Sequence, residues 1–540
     1  MASLTEWLNA GLPRGVGDRD DLPSEAEWQQ SKDLGKDWDY KRHDKPPHSG
    51  IFLGYGADGN DANKVRHIAS HDDRHLLTIC QSRGGKGVSL INTNLLTYGT
   101  AHAGKHQGGS VLAIDPKGEL AQITCRCRDE TIGQQCFVLD PFKAVDWSEQ
   151  NYHPFTSDDI ISHSFNPLDE LDRDSEDCID GAAIIADALI VPAQNDPHWG
   201  ESARMFVRAL ILMALARHDP NERNLVTVRN LLMLRDYSLV RTAALNPKLS
   251  TEDVLYGIMK GFKDTKKLPF AFVIEGMGAA FATLGTKERG SILSAARTQT
   301  EFLDSPRLQR TLKHSDFKIA HLKTGFVADD NNDAPRPNVT VYLCLPAKHL
   351  GYYSKWLRVI INLALSGLEG EKNAPDIPVL FVLDEFGTAV GYLKSIATAA
   401  GLIAGSGVKL WTILQDLTQL QEHYKSWETF IGNAGVITCF GLSDATTLEY
   451  LSKKLGTRGM KLTTQGDTTP GLRETGSSGE HEHLQSARLL EPQELERAVA
   501  RESGRLLVMK TGERPFLLRR AFYYREQEPH FYNRWKGRIQ

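Results

Sequence analysis

Nothing in the 540 residues is apolar for long enough to cross a bilayer, which takes about 20 consecutive apolar residues. The most apolar helical stretch, around Met205–Ala216, is shorter and is interrupted by Arg208. Nor does Met1–Ser49 contain the apolar centre of a secretory signal. Cysteine is scarce. The seven present, an odd number, exclude a disulfide scaffold and predict reduced thiols in a soluble cytoplasmic protein. Only Cys125, Cys127 and Cys136 cluster, and no second pair at zinc-ligand spacing accompanies them, so no zinc site is expected. Positive charge is not in excess either: 63 Lys and Arg face 68 Asp and Glu, for a net −5. That excludes a uniformly basic nucleic-acid coat but leaves room for a local basic track. What remains is an ordinary globular composition, 41% hydrophobic and 24% charged, in a chain long enough for two or three domains.

Against this background one stretch stands out. Leu76–Leu96 reads LLTICQSRGGKGVSLINTNLL, which predicts a short strand (Leu76–Cys80), a glycine loop and a helix opening at Val88. Strand, glycine loop with lysine, then helix is an arrangement that binds phosphate. The loop's N–H groups and the helix N-terminus face an anion, and the lysine reaches the β- and γ-phosphates. The candidate lining is Ser82, Arg83, Gly84, Gly85, Lys86, Gly87 and Val88. The pattern G-x-x-x-x-G-K-[ST] would have glycine in place of Cys80 and a hydroxyl in place of Gly87. Far downstream, Val379–Glu385 reads VLFVLDE, a buried parallel strand ending in two acids, where ligands bind in open α/β sheets. In a nucleoside triphosphatase Asp384 would hold magnesium and Glu385 would polarise the attacking water.

Around these motifs, Met1–Ser49 is a polar arm with three tryptophans (Trp7, Trp28, Trp38) that suits docking more than catalysis. From Ile51, strands at Ser110–Ile114 and Phe137–Leu139 alternate with helical segments, which predicts a parallel sheet with right-handed crossovers. Residues 171–311 then read as helical, with Trp199, Ala203, Phe206, Val207, Leu210, Ile211 and Ala214 at helix spacing and Asp219-Pro220 as a stop. The one candidate strand there is Phe270–Ile274. This predicts an all-α domain (171–311) inserted into an α/β domain (50–170 and 312–525), flanked by the arm (1–49) and a tail (526–540). The sheet resumes at Val339–Leu345, Val379–Leu383, Lys409–Leu414 and Gly435–Phe440, and Arg505–Met509 and Phe516–Leu518 are expected as antiparallel edge strands. Thr457–Ser486 reads as a mobile loop or loose hairpin. After Arg519, arginines alternate with Phe522, Tyr523, Tyr524, Phe531, Tyr532 and Trp535. Such a tail stacks on single-stranded nucleic acid or, more commonly, docks on its own domain or a neighbour.

Together the motifs HLLTICQSRGGKG, INTNLL, GGSVLAIDPKGEL, VLDPF, FNPL, DPHWGESAR, VYLCLP, VLFVLDEFG, ILQDLTQL and GLSDATTLEYLSKKLG resemble the soluble part of the type IV secretion coupling proteins. These are the hexameric ATPases of bacterial conjugation. The resemblance runs from about Ile51 to Tyr524 and implies a RecA-like P-loop domain with an inserted all-α domain. It implies ATP and Mg2+ as cofactors, with Lys86 on the phosphates, Asp384 and Glu385 at magnesium and water, and Gln415 as a γ-phosphate sensor. The implied partners are DNA held without sequence preference, a relaxase or effector protein, channel subunits, and five further copies in a ring.

Three departures from the family pattern qualify this. Gly87 removes the usual magnesium hydroxyl; Ser82 and Ser89 are the nearby hydroxyls, neither at the standard position. Ala404-Gly405-Ser406-Gly407 offers no arginine for a neighbouring site. Members usually begin with transmembrane helices, so a separate membrane adaptor is expected to hold this chain at the cytoplasmic face of the inner membrane. The alternatives are a soluble DNA translocase unconnected with secretion, or an ATP-gated recruitment platform that does not pump. Lys453, Lys454, Arg458 and Lys461 are the candidate DNA track; a solvated helix end is their plain alternative.

Overall fold

Short apolar runs become strands here because both faces of each can be buried. The structure is a computed structural model that describes residues 26–40, 50–58, 61–99, 109–148, 152, 154–155, 162–191, 197–246, 248–262, 267–327, 336–372, 375–393, 395–396, 403–467 and 478–537. The strands are, in chain order, β1 (Ile51–Asp58), β2 (Asp61–Ser70), β3 (His75–Ile79), β4 (Val111–Asp115), β5 (Gln135–Leu139), β6 (Val339–Cys344), β7 (Val379–Leu383), β8 (Val408–Leu414), β9 (Ala434–Cys439), β10 (Thr457–Asp467), β11 (Ser478–Arg488), β12 (Arg505–Lys510) and β13 (Phe516–Arg519). The chain divides into two compact units. The first draws on Met1–Lys45, Ser49–Asn94 and Trp411–Tyr532, the second on Pro46–His48, Leu95–Leu410 and Asn533–Gln540.

In the first unit the strand order is β2-β1-β13-β12-β9-β3-β8. β3 is parallel to both its neighbours, β8 and β9, and every residue of it is buried. β12 and β13 are antiparallel as expected, but they are interior rather than at the edge, because β1 pairs with β13 and β2 lies beyond it. The antiparallel pair β1–β2 beyond them was not legible, since β2 is largely polar and shows no clear alternation. The described part of the N-terminal arm docks on this edge. Trp38 donates its indole N–H to Glu513 at 3.0 Å and packs edge-on against Phe516, while Asp39 pairs with Arg66. The C-terminal tail docks here too: Phe531 packs on Phe52 at 5.0 Å, Tyr55 donates to Glu528 at 3.3 Å, and Arg519 lies over the Tyr55 ring. Own-domain docking therefore takes up much of the aromatic surface that nucleic-acid stacking would need. Thr457–Ser486 resolves into a hairpin, β10 against β11, paired from Thr457↔Arg488 to Asp467↔Ser478.

In the second unit β7-β4-β6-β5 form an all-parallel array. Among the described residues between β5 and β6, the regular elements are helical. The helix Pro197–Arg217 ends just before Asp219-Pro220, and the residues singled out on it are buried except half-buried Trp199. Phe270–Ile274 is not a strand. It opens the helix Ala271–Thr283, because Ile274, Met277, Gly278 and Phe281 recur every three or four residues and bury one face. Phe281 stacks on Phe206 at 4.3 Å. Burying each such side chain contributes about 2 kcal/mol.

One buried cation ties this unit together. Arg128, wholly buried, follows the helix Glu119–Arg126. Its guanidinium donates to the carbonyls of Leu95 (2.6 Å), Tyr98 (3.3 Å) and Gly109 (3.2 Å), to the Gln134 amide oxygen (2.7 Å) and to the Thr340 hydroxyl (2.6 Å). All are neutral acceptors, so the charge is stabilised by geometry rather than by an ion pair, and the Leu95 contact places it at a helix C-terminus. Arg128→Met and Arg128→Lys should both lower the denaturation midpoint, the former by the equivalent of about 3 kcal/mol, since buried acceptors lose their donors and one ammonium cannot span five of them. Unchanged midpoints in urea titrations of both variants would contradict this account.

Candidate functional site

The loop after β3 is shaped by its neighbours and by its own carbonyl groups. Pairing continues past the strand: Cys80 N–H donates to Leu414 O (2.9 Å) and Gln81 N–H to Gly441 O (3.4 Å). The chain then turns sharply. Arg83 takes φ 63° and Gly85 φ 95°, left-handed values, which cost an arginine about 1 kcal/mol and a glycine little. Gly84 is required, because a Cβ there would lie 2.4 Å from the Cys80 sulfur. Gln81 O accepts from Gly84 N–H at 2.9 Å, and Gly85 O from both Ser89 N–H (3.0 Å) and the Ser89 hydroxyl (2.7 Å). Gly84 O accepts from Arg520 at 2.7 Å. Carbonyls tied back in this way leave N–H groups turned toward an anion. Ser82 and Arg83 are exposed, Lys86, Gly87 and Val88 half-buried, and the helix follows as a wide first turn (Gly87–Ile91) continued by Asn92–Leu95. Gln415 follows β8, whose Leu414 pairs with Ile79, so it belongs to the strand end beside the loop.

The missing hydroxyl at 87 has a clear geometry. Ser89 is buried with its hydroxyl bonded to Gly85 O, which removes it as a ready substitute. Nothing lies within 4 Å of a Cβ built at Gly87, so no packing demands glycine there.

In the second unit β7 ends in Asp384 and Glu385, both half-buried. Glu385 has φ 54° and caps the short helix Phe386–Ala389, its carbonyl accepting from Ala389 N–H at 2.7 Å; its own N–H donates to Asp384 Oδ1 at 3.0 Å. A non-glycine residue in this conformation stores about 1–3 kcal/mol, and such strain gathers at functional positions. Neighbouring β4 ends in Asp115, which lies in the motif GGSVLAIDPKGEL but was not among the site residues expected from the sequence. It is 1% exposed and accepts N–H groups from Lys117 (3.3 Å) and Ala121 (2.9 Å). Its carboxyl is pushed up to about 7, chiefly by burial and also by Asp384 and Glu119, against the pull of those two N–H groups. The D-P-K-G spacing at a strand end was the available signal. Arg520 carried none, since it lies 436 residues from the loop it touches.

Of the proposed basic track, Lys453 and Lys454 are exposed on the last turn of the helix Ala445–Leu455, where cations also suit the helix dipole. Arg458 is half-buried at the start of β10, and the Lys461 side chain lies outside the described residues.

A strand, a phosphate-type loop and a helix, in a largely parallel sheet with a helical insertion, define a RecA-like P-loop fold. Solved structures share it. The bacterial conjugative coupling protein TrwBdeltaN70, in its trigonal form with sulphate, matches with a TM-score of 0.56 at 13% identity, over 94% of this chain and 95% of that one. Plasmid coupling protein TrwB in complex with ADPNP matches at 0.54 and 14% identity, over 84% and 86%. The family model for type IV secretory system conjugative DNA transfer matches residues 25–536, and the chain belongs to that family. It is 24% identical to conjugal transfer protein TraG of Escherichia coli over 450 residues, 79% of this chain and 62% of that protein. Protein VirD4 of Rhizobium radiobacter is likewise 24% identical over 469 residues, 85% and 58% of the two chains. The chain thus spans about three fifths of these relatives' length.

Gly87→Ser should fit without strain and supply the hydroxyl that P-loops direct at magnesium. ADP affinity in the presence of magnesium should rise about fivefold, the factor that about 1 kcal/mol represents, with little change in its absence. Equal affinities for variant and parent under both conditions would show that the position is irrelevant to metal.

Proposed function

We propose that the chain is an ATP-hydrolysing coupling protein that recruits DNA, or a DNA–protein conjugate, and moves it to a type IV secretion channel. The observation that carries this is the tied-back loop 81–88 with Lys86, in a chain whose family match spans 25–536. TrwB, which shares the fold, has been solved with ADPNP and with ADP and Mg2+.

In this reading the loop N–H groups and Lys86 neutralise the phosphates, Glu385 orients and polarises the attacking water, and Gln415 contacts the γ-phosphate and reports its loss. Magnesium at such a site screens the charge that develops on the phosphates, and it takes one or two carboxylates while keeping several waters. Asp384 fits that demand as an acid directly after β7, followed by the left-handed Glu385. The helical residues 171–311 would form the inserted domain and receive a relaxase or effector protein. The working form would be a ring of six, since an arginine supplied by a neighbour completes many such sites. No helix among the described residues is long and apolar enough to cross a membrane. The ring would work at the cytoplasmic face of the inner membrane. Gly87 favours one second reading, a nucleotide-gated recruitment platform that does not pump.

The test is ATP turnover with no DNA, single-stranded DNA and duplex DNA, across protein concentration. Turnover should rise with DNA and more steeply than linearly with protein. Lys86→Ala should lower it at least about 100-fold with the fold intact, and Glu385→Gln should bind ATP yet hydrolyse it very slowly. Parental hydrolysis in both variants would end the motor reading. DNA binding is a separate matter. Alanine at Lys453, Lys454, Arg458 and Lys461 together should weaken it and flatten its log–log salt slope by about 0.9 for every phosphate no longer neutralised. An unchanged slope would move the track to another surface.

A further inference from the structure

Arg520 follows β13, which lies between β1 and β12, yet its guanidinium lies against the phosphate-type loop of the same unit. Nη1 donates to Gly84 O at 2.7 Å and Nη2 donates to Arg501 O. Nη1 is also 3.2 Å from where a Cβ on Gly85 would stand. The group is 3% exposed and lies over the rings of Phe440 (4.8 Å) and Phe522 (5.6 Å). Its Nε is buried with no hydrogen-bond partner, and no carboxylate forms an ion pair with it among the described residues. The segment that bears it is anchored again three residues on, where Tyr523 N–H donates to Val88 O at 3.3 Å.

The peptide between Gly84 and Gly85 is the one in the loop most able to flip, because both flanking residues lack a Cβ. In a planar trans peptide the carbonyl and the following N–H point in opposite directions. A donor that holds Gly84 O therefore decides where Gly85 N–H points. Ser89 does the same for Gly85 O and hence for the Lys86 N–H, and Gly84 N–H does it for Gln81 O. Of these holds, only the one on Gly84 O comes from outside the loop and its helix, and only it carries a charge. A buried cation held by carbonyls and rings, with no carboxylate in ion-pair contact, lowers the stability of the empty protein, and an anion in the loop would offset that.

We propose that Arg520 is a positioning residue of the phosphate site: it holds the Gly84 carbonyl so that the Gly85 N–H faces a bound nucleotide phosphate, and that anion adds compensation for its buried charge. The inference rests on the reading of residues 81–88 as a nucleotide loop. It also links the C-terminal segment to the loop, so that displacing Arg519–Tyr523 would release the nucleotide.

The experiment uses the full chain, a fluorescent ADP with magnesium, pyrophosphate as a competitor, and thermal melting with and without nucleotide. Arg520→Met keeps the length and the packing on Phe440 but removes the charge and the hydrogen bonds. It should weaken ADP and pyrophosphate binding at least tenfold while the melting temperature of the empty protein stays level or rises. Arg520→Lys should recover part of the affinity. Hydrogen exchange across residues 81–88 should quicken in both variants, with β3 unchanged. Affinity within twofold of the parent in Arg520→Met would overturn the proposal. So would a fall in empty-protein melting that parallels the loss of binding in both variants, because that marks a purely structural role. Should Arg520→Met not fold, Arg520→Lys decides by the same exchange and affinity readings. Failure of the underlying reading looks different: the parent would then bind neither ADP nor pyrophosphate, or Lys86→Ala would bind both as well as the parent.

Discussion

The parallel pairing of β3 between β8 and β9 is the constraint on which the loop depends. A parallel strand has its hydrogen bonds supplied from both sides, and here they run past the last residue of β3 into Cys80 and Gln81. The chain therefore leaves the sheet at one definite point, between the ends of two neighbouring strands, and turns with its carbonyls already engaged. That arrangement places Gln415 beside the loop and brings Gly441 against it, where a Cβ would approach Gly84 Cα at 3.0 Å. Wrong pairing by one residue would reverse every side chain of β3 and misplace the loop with it.

Buried arginines are used in two ways in this molecule. Arg128 is saturated by neutral acceptors and acts as a rivet between a helix end, the start of β4 and β6. Arg520 is under-satisfied, with an unpartnered Nε and aromatic rings on its faces. The first pattern favours rigidity, since all its bonds are already made in the empty protein. The second leaves part of the charge uncompensated, and a group of that kind responds when an anion arrives. Asp115 shows the opposite sign of the same effect: a carboxyl held up to about 7 by burial next to Asp384, where added negative charge is resisted and a cation would be welcomed.

The reading as a coupling protein thus stands on local geometry and family membership together, with DNA, protein substrate and ring assembly as its proposed consequences. Gly87 is the informative departure. Its surroundings are open, so the absence of a hydroxyl does not follow from packing and bears on how firmly the metal is held.

Contiguous residues determined much of this protein. The β3–loop–helix unit was legible because strand burial, glycine φ freedom and helix entry are all settled within about 20 neighbouring residues, and VLFVL read as β7 for the same reason. The helix Pro197–Arg217 was legible from its spacing, whereas Phe270–Ile274 stayed open between strand and helix because a five-residue apolar run fits either period until its continuation is packed. The tertiary structure alone decided what depends on pairing distant segments. The β1–β2 edge and the reach of Arg520 across 436 residues left no local trace, while the pairing of β10 with β11 and the depth of Asp115 left only a glycine-rich polar stretch and a D-P-K-G spacing. Each is set by which surfaces close on one another, and a burial or a hydrogen bond between remote residues has no period that a sequence can display.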